Sequence, residues 1–460
     1  MVPVPRCSGN RHQIERGCRS ARITCVRIRR SASVCVIVLL GLSVGCTAAS
    51  PSQTPAPSPS PAPSAADTGP PEPSRTLDPV ATDLDRLLRA LDSTHPEPFH
   101  SISRDDFAAA LSDYAEALPD LTPDEAVVEL MRTVALLSRE GRDGHQFALP
   151  MPGHEGPVLP LRIYEFAEGV FITAAAPPHE SLVAASITAI DGTPIDEVLA
   201  AVEPLVPRDG PATVPAFRPI FLLRTEVLRG LGIIGDGPVE LSIDHHGLAS
   251  TVMVEPMAFD ANVDWGGGMH FLPIDERVRY LAAATPLNTE LIGDALYLRY
   301  RPVSSPDVTE ARDIFASGEA QRLILDLRQN PGGDNGTYGR VLRLAQEFAA
   351  ENPGALYVLI DRVTFSAASN LATEIEQSTD ATFIGEPMGG GLNFWNDVRQ
   401  VRLEALPVPM QVGVSTRYWQ FAEPDDPRLT IEPDVVLPVT ADDHFARRDP
   451  VLDAVLAAGR

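Results

Sequence analysis

Strands and helices alternate along the chain after residue 294, and this pattern constrains the fold more than any other feature of the sequence. Short aliphatic runs predict strands, and the apolar spacing between them predicts helices. The segments are, in order, ALYLRYRPV (295–303), a helix near 308–317, RLILDLR (322–328), a helix near 335–349, LYVLID (356–361), a helix from Ser366, and ATFIGEP (381–387). Repeated units of this kind predict an α/β core with buried strands.

Two other patterns precede this core. Between residues 77 and 137 the apolar residues recur at helical spacing, which predicts three helices. The third is the best marked, because TPDE at 122–125 supplies an N-cap, a proline at the first helical position and a capping-box acid. From 159 to 257 short β-like runs predominate, with one helical piece near 195–202.

The residue types that are absent exclude several kinds of chemistry. All five cysteines lie within the first 46 residues. The remainder therefore cannot contain a disulfide, a cysteine nucleophile or a cysteine-ligated metal site. All 37 basic residues are arginine, and no lysine occurs. Because arginine stays protonated at any working pH, it cannot replace lysine as a general base.

The charge and motif content narrow the classes of partner. The formal net charge is −25, and eight arginines but only one acid precede Cys46, so the rest of the chain is still more acidic. Such a surface repels phosphate backbones and anionic lipid headgroups, which argues against nucleic-acid binding. Neither an HExxH motif nor a phosphate-binding glycine motif followed by lysine is present. We therefore expect no metal ion and no nucleotide cofactor.

The first 46 residues have the features of an export signal. Arginines precede a short apolar run at 31–45 that is too short to span a bilayer. LSVGC at 42–46 resembles the bacterial lipobox, in which the cysteine is acylated, although Ser43 departs from the usual aliphatic residue. We predict that residues 1–46 are a lipoprotein-type signal peptide and that Cys46 is the lipidation site. A plain secreted protein and an uncleaved anchor are the alternatives.

A segment rich in proline, serine and alanine follows at residues 47–76. This composition cannot bury a core, and it favours extended polyproline II structure. We predict that the segment is a tether. It would hold an exported domain away from the outer face of the cytoplasmic membrane.

Two short motifs at predicted strand ends could carry chemistry. DLRQNPGG (326–333) places Gly332 and Gly333 after a buried strand, where glycine lets backbone N–H groups face an oxyanion. On its own, a strand that ends in NPGG is more often followed by an ordinary turn. DRVTFSAAS (361–369) places Ser366 between a strand and a helix, where a nucleophilic hydroxyl is exposed. The alternative is that this serine only caps the helix.

Together with a following strand that ends in GEP (385–387), these motifs resemble the tail-specific or C-terminal processing protease family. The resemblance extends from about residue 78 to the C-terminus. It implies that Ser366 is the nucleophile and that the backbone N–H groups of Gly333 and Ala367 form the oxyanion hole. The implied reaction is hydrolysis of a peptide or protein substrate without a cofactor.

The same resemblance implies an order of domains. A helical segment at 77–150 ends at the loop that carries the catalytic histidine, a PDZ-like β-rich module follows at 151–258, and a crotonase/Clp-protease-like α/β core occupies 259–460. The PDZ-like pattern lies mainly in ITAIDGTPIDEVL at 187–199. Peptide binding by this module and a purely structural insert are both compatible with it.

One departure from the family concerns the general base. The lysine of the bacterial enzymes would fall near Gly391, and it is missing. The resemblance therefore points to the tricorn-like branch, in which a histidine precedes the PDZ-like module, and this implies that His145 in REGRDGHQF is the base. The branch has a hydroxyl residue before the histidine, whereas this chain has Gly144. His95 is the competing histidine, and we interpret it as structural.

A histidine base needs an acid that fixes its tautomer. The branch places a glutamate shortly before a Pro-Asp motif, which here is PD at 433–434. We expect Glu423 to be this acid, with Glu432 as the alternative. The competing function for the whole chain is a non-catalytic envelope lipoprotein of the same fold that binds peptides or apolar ligands.

Replacing Cys46 by alanine should release the protein from the membrane fraction or leave an unprocessed precursor. Burial of acyl chains at about 0.8 kcal/mol per methylene would otherwise anchor the protein. Cell fractionation and the mass of the mature protein measure the effect, with Cys35→Ala as a control that alters a cysteine outside the lipobox. Recovery of Cys46→Ala in the same fraction and at the parent mass would contradict lipidation.

Overall fold

The computed structural model describes residues 78–259, 263, 272–283 and 285–458. These residues form a mixed α/β structure, as the sequence predicts. The predicted signal peptide, Cys46 and the tether lie outside the described residues. Within the described ranges, no helix has the length and apolar character needed to cross a membrane.

The α-helices of the described residues include the predicted ones, in the predicted order, and several further helices. They are α1 (Pro79–Thr94), α2 (Arg104–Ala117), α3 (Pro123–Ala135), α4 (Ile195–Val202), α5 (Thr213–Phe221), α6 (Thr225–Gly230), α7 (Thr309–Ser317), α8 (Gly339–Glu351), α9 (Ala367–Ser378), α10 (Ala441–Phe445) and α11 (Pro450–Ala458). Of these, α5, α6, α10 and α11 were not predicted from the sequence.

The strands of the described ranges fall into four sheets. They are β1 (Ala148–Pro150), β2 (Leu161–Phe166), β3 (Gly169–Ala175), β4 (Ser186–Ile190), β5 (Thr193–Pro194), β6 (Val239–His245), β7 (Leu248–Val254), β8 (Leu287–Ile292), β9 (Ala295–Tyr300), β10 (Arg322–Asp326), β11 (Leu356–Ile360), β12 (Thr382–Gly385), β13 (Asn393–Asn396), β14 (Arg399–Leu403), β15 (Met410–Val414), β16 (Arg417–Gln420) and β17 (Val435–Val436).

The three predicted N-terminal helices are present, and their caps follow from the sequence. The side chains of Asp78 and Ser103 accept backbone N–H bonds at the starts of α1 and α2. Thr122 and Glu125 form the predicted reciprocal capping box at the start of α3. Each helix buries one apolar face, and these faces join one hydrophobic cluster with β2–β4, β6, β14 and β15.

The central sheet has the strand order β17-β12-β11-β10-β9-β8. Its neighbours from β9 to β17 are parallel, and β8 is antiparallel to β9. One face packs against α7, α8 and α9, and the other packs against α11. The parallel arrangement brings the carboxyl ends of β10 and β11 to the same edge, and there the two predicted motifs lie side by side.

Arg328 fixes the end of β10 just before the NPGG loop, which we define as residues 330–333. Its guanidinium is buried, pairs with Asp326 and Asp449, and lies 4.2 Å from the ring centre of Tyr280. The two carboxylates hold the pKa of Arg328 well above its usual range despite burial. A buried charge with partners on two elements restricts the path of the chain into the loop.

A second sheet, with the order β2-β3-β4-β6-β7 and β5 paired to β4, is antiparallel throughout. Its strands lie where the β-like runs of the sequence predicted them, and α4 begins and ends at the predicted residues. The interpretation of residues 151–258 as a PDZ-like module stays a prediction.

Two smaller sheets connect distant parts of the chain. β1 pairs with β15, which in turn pairs with β14. β13 pairs with β16. Because β1 directly follows the His145 loop, which we define as residues 139–147, this loop is held between α3 and a strand near the C-terminal part of the chain.

Candidate active site

Ser366 lies in the turn between β11 and α9, with its backbone in an unusual conformation. Its φ and ψ are 54° and −125°. A positive φ is unfavourable for a residue with a Cβ atom, and such strain costs about 1–3 kcal/mol. The residue is half-buried. This conformation at a strand-to-helix turn is typical of a nucleophile whose hydroxyl must project from the backbone.

The side chain of Ser366 does not cap the helix, although the residue occupies the N-cap position. It makes no capping hydrogen bond to the first turn of α9. Its Oγ instead accepts a hydrogen bond from Nδ2 of Asn396, at 3.2 Å. The geometry therefore does not support the alternative that this serine serves as a helix cap.

The NPGG loop approaches Ser366 more closely than any side chain at Gly332 would permit. Gly332 has a φ of 101°, and a Cβ atom there would lie 2.7 Å from Cβ of Ser366 and 2.8 Å from N of Ala367. Gly333 has a φ of 150°, and a Cβ atom there would lie 2.0 Å from the carbonyl oxygen of Val303. Both positions require glycine for steric and conformational reasons.

Two backbone N–H groups in this region have no hydrogen-bond acceptor. Val303 binds the loop on either side of Gly333, through its N–H to the carbonyl of Gly332 and its carbonyl to the N–H of Asp334. Within the described ranges, the N–H groups of Gly333 and Ala367 donate no hydrogen bond. Ala367 is the first residue of α9, where the helix dipole favours negative charge. These groups are the donors that an oxyanion hole needs.

Asp361 holds the serine turn against the end of β10. Its buried carboxylate accepts hydrogen bonds from the backbone N–H and side-chain amide of Gln329, and from the N–H of Thr364. Burial raises the pKa of this carboxyl to about 6. The N–H of Phe365 donates to the carbonyl of Asn330, at 3.0 Å. These bonds fix the residue that precedes Ser366.

His145 lies beside the serine turn and packs between two aromatic rings. The ring centre of its imidazole is 4.6 Å from that of Phe365 and 5.6 Å from that of Phe394. Among the described residues, the imidazole has no hydrogen-bond partner, and Nδ1 is fully covered. Burial lowers the pKa of His145 to about 3. The imidazole is therefore neutral at pH 7, which is the form that can accept a proton.

The structure does not bring either candidate acid into contact with His145. Glu423 and Glu432 are both exposed, and their carboxylates make no hydrogen bond within the part of the chain that the structure describes. The carbonyl of Glu423 accepts a hydrogen bond from Nδ2 of Asn393, at 3.3 Å. Because Asn393 precedes Phe394, the loop that carries Glu423 lies near the strand that contacts the imidazole.

His95 is buried and has partners on both ring nitrogens. Its Nδ1 accepts the N–H of Glu97 at 3.0 Å, so its Nε2 donates to Asp143, at 2.8 Å. The other carboxylate oxygen of Asp143 accepts a hydrogen bond from Oγ of Ser415, at 2.7 Å. His95 therefore bonds to Asp143 within the His145 loop, and this agrees with its interpretation as structural.

Two polar residues near the site were missed by the sequence analysis. Asn396, which donates to Ser366, lies in β13 within the run LNFWND (392–397), where two asparagines flank a pair of aromatic residues. Polar residues on either side of an aromatic pair are a weak signal of a strand at a site. Asp209 contacts the His145 loop from a distant part of the chain, and no local pattern marks it.

No protein-family model matches the chain, and no curated protein matches it in sequence. Solved structures do match. The structure of mature CPAF complexed with lactacystin is 14% identical and has a TM-score of 0.54, with 82% of this chain and 97% of that chain covered. A mutant of CPAF is also 14% identical and has a TM-score of 0.56, with coverage of 80% and 94%.

The photosystem II D1 C-terminal processing protease is 16% identical, with a TM-score of 0.39 and coverage of 81% of this chain and 97% of that chain. A further structure of mature CPAF is 15% identical and has a TM-score of 0.51, with coverage of 82% and 95%. At these identities the matches concern the fold, and these three CPAF structures have TM-scores above 0.5. The chain thus has the fold of CPAF, a member of the tail-specific and C-terminal processing protease family. The mixed α/β fold implied by the sequence resemblance is confirmed, and its PDZ-like module stays a prediction.

Proposed function

We propose that the chain is an exported serine peptidase that hydrolyses peptide bonds through an acyl-enzyme. One observation carries this proposal: the strained Ser366 does not cap α9, and the unused N–H groups of Gly333 and Ala367 lie on the two segments that meet beside it. A nucleophile next to two free backbone donors is the arrangement that acyl transfer requires.

The reaction begins with attack of the Ser366 Oγ on the substrate carbonyl carbon. The new O–C bond forms as the hydroxyl proton passes to His145, and the Gly333 and Ala367 N–H groups hold the oxyanion. The imidazolium then protonates the leaving amine, and the C–N bond breaks. A water molecule releases the acyl group by the reverse sequence of proton transfers.

His145 is the base in this proposal, because its neutral imidazole packs against Phe365, the residue before the nucleophile. The imidazole must come within about 2.6–3.2 Å of Oγ for proton transfer, and substrate binding commonly tightens such contacts. Glu423 is the proposed acid, and Glu432 is the alternative. Either carboxylate would have to reach Nδ1 of His145, which is covered in this structure, as the imidazole becomes charged. This requires movement of its exposed loop.

Export and lipid anchoring at Cys46 complete the proposal. They rest on the sequence of residues 1–76 alone, so they are independent of the catalytic argument. The expected partners are a peptide or protein substrate and, through the acylated cysteine, a membrane.

Ser366→Ala should abolish labelling by a fluorophosphonate probe and hydrolysis of an unstructured protein substrate. The free energy of unfolding should change by much less than the ~1 kcal/mol of a lost helix cap, because the hydroxyl makes no capping bond. Ser378→Ala, at the exposed end of the same helix, is the control and should label fully. Full labelling of Ser366→Ala would place the nucleophile elsewhere. An unlabelled parent protein would favour the binding-lipoprotein alternative.

Gly332→Ala should slow acylation by about 10²–10³-fold, the range for loss of an oxyanion-hole donor, because its Cβ would displace N of Ala367. Gly336→Ala is a matched control in the same region, since its Cβ would meet only the side chain of Asp334, with Oδ1 at 3.2 Å and Cγ at 4.0 Å. The rate constant of probe labelling is measured on protein whose folding has been checked by thermal melting. Labelling of folded Gly332→Ala at the parent rate would contradict the assigned oxyanion hole.

His145→Gln should lose several orders of magnitude in acylation, whereas His95→Gln should lose stability and keep most of its acylation rate per folded molecule. Because burial lowers the pKa of His145 to about 3, protonation of this residue in the free protein should reduce acylation only near and below pH 4. An unshifted histidine would do so at pH 6 to 7. Near-parent acylation by His145→Gln would remove this residue from the mechanism.

A further inference from the structure

One buried carboxylate connects the two loops that flank Ser366. Oδ1 of Asp209 accepts the N–H of Gly144 at 2.5 Å, and Oδ2 accepts the N–H of Gly391 at 3.2 Å. Gly144 directly precedes His145. Gly391 belongs to the GGG loop, which we define as residues 389–391, and this loop leads into β13. Asp209 therefore bonds to the loop of the proposed base and to the loop before the strand that contacts it.

A second side chain in the same turn holds the same loop. Oγ1 of Thr213 donates to the carbonyl of Gly389 at 2.6 Å, and it accepts the N–H groups of Asp209 and Gly210, both at 3.1 Å. The backbone adds a further connection, since the N–H of Arg142 donates to the carbonyl of Asp209 at 2.8 Å. The turn at 209–213 is thus bonded to both loops at several points.

The space around Asp209 is too small for a side chain at Gly144. A Cβ atom at Gly144 would lie 2.9 Å from N of Asp209 and 3.0 Å from its Oδ1. A hydroxyl side chain at position 144, the residue type of the tricorn-like branch, would therefore overlap with Asp209. Here the backbone N–H of Gly144, and not a side chain, contacts the carboxylate.

The carboxylate of Asp209 is fully buried and has no cationic partner among the described residues. The titratable or charged residues on the His145 loop, beside Asp209 on its own turn and at the end of α1 are Arg139, Glu140, Arg142, Asp143, His145, Arg208 and His95.

None of these groups neutralises Asp209. The guanidinium of Arg142 bonds to the carbonyls of Asn393 and Asp426, and that of Arg208 lies against Glu203. The carboxylate of Asp143, bonded to His95, has the same charge as Asp209 and adds to the effect of burial. Together they raise the pKa of Asp209 to about 7.

We propose that Asp209 is a positioning residue for the acylation step: its carboxylate holds the His145 loop and the GGG loop in place beside Ser366. The inference rests on the proposed peptidase function. The ionised carboxylate offers an acceptor to each of the two N–H groups. A protonated carboxyl must place its own proton, and neither the N–H of Gly144 nor that of Gly391 can accept it.

The proposal gives the acylation rate a specific pH dependence. As pH falls through 7, Asp209 takes up a proton, its contact with one loop is lost and acylation slows. His145 remains neutral over this range, because its pKa lies far lower. A decline between pH 8 and 6 would therefore not report on the base. Asp361, whose pKa is raised by burial to about 6, also titrates in this range, so the part of the decline that Asp209→Asn removes is the part that reports on Asp209.

The test is the rate constant of fluorophosphonate acylation from pH 5 to 9, at fixed salt, for the parent, Asp209→Asn and Asp380→Asn. Asp209→Asn should be about tenfold slower or more at pH 8, since an amide oxygen can replace only one acceptor, and it should lack the step near pH 7. Asp380→Asn alters a carboxylate that accepts the N–H of Gly354 on the surface. It should keep both the rate and the step.

Variants of Thr213 provide a second test of the same proposal. Thr213→Val should slow acylation, and Thr213→Ser, which keeps the hydroxyl, should restore it. A purely structural role would lower the melting temperature of Asp209→Asn without changing the pH profile per folded molecule. A step near pH 7 that persists in Asp209→Asn, or a parent profile without such a step, would overturn the proposal.

Amide hydrogen exchange separates this inference from the proposed function, because it needs no activity. At pH 8, Asp209→Asn should exchange at least about tenfold faster than the parent in peptides that cover 139–147 and 388–396. If the parent protein is not labelled at Ser366 while these peptides lose protection, the peptidase proposal fails and the positioning role stands. Unchanged exchange in both peptides overturns the positioning role.

Discussion

The close contact between Gly332 and the serine turn is the constraint on which the rest of the site depends. The backbone of the NPGG loop lies so near to Ser366 that a single Cβ atom would overlap with Ser366 and Ala367. The contact is possible because β10 and β11 are parallel neighbours whose ends reach the same edge. Asp361 holds the ends of β10 and β11 together, since its carboxylate accepts hydrogen bonds from residues that follow both strands. The strain at Ser366 is maintained by these surroundings.

The environment of His145 determines what the base can do. Stacked aromatic rings and a covered Nδ1 make the imidazole neutral but weakly basic. A base with a pKa near 3 is a weak acceptor for the serine proton. Efficient transfer therefore requires a group that stabilises the imidazolium. A carboxylate at Nδ1 would do so, and it would raise the pKa toward the working pH. The proposed mechanism therefore depends on the mobility of the loop at 421–429.

Much of the fold could be predicted from the sequence because it follows local rules. The capping box of α3 and the βα units of the core depend on residues within a few positions of one another, and both were confirmed. The predicted Ser366, Gly333 and Ala367 lie together because motif and strand order both bring them to one edge. In contrast, α5 and α6 have no clear cap or periodicity signal. The strands β13 and β16 pair although β14 and β15 lie between them in the sequence, and no local pattern predicts this pairing.

Asp209 shows most clearly why a site cannot be read completely from one sequence. Its bonds join residues 65 and 182 positions away in the chain, and neither neighbour differs from an ordinary glycine. It also lies within the segment 151–258, which the sequence separates from the core. The packing does not follow that boundary, because the N-terminal helices, the antiparallel sheet and β14–β15 share one hydrophobic cluster with Phe365. The residue before the proposed nucleophile is thus part of a core that the N-terminal half of the chain helps to build, and its position depends on packing as well as on the bonds of the serine turn.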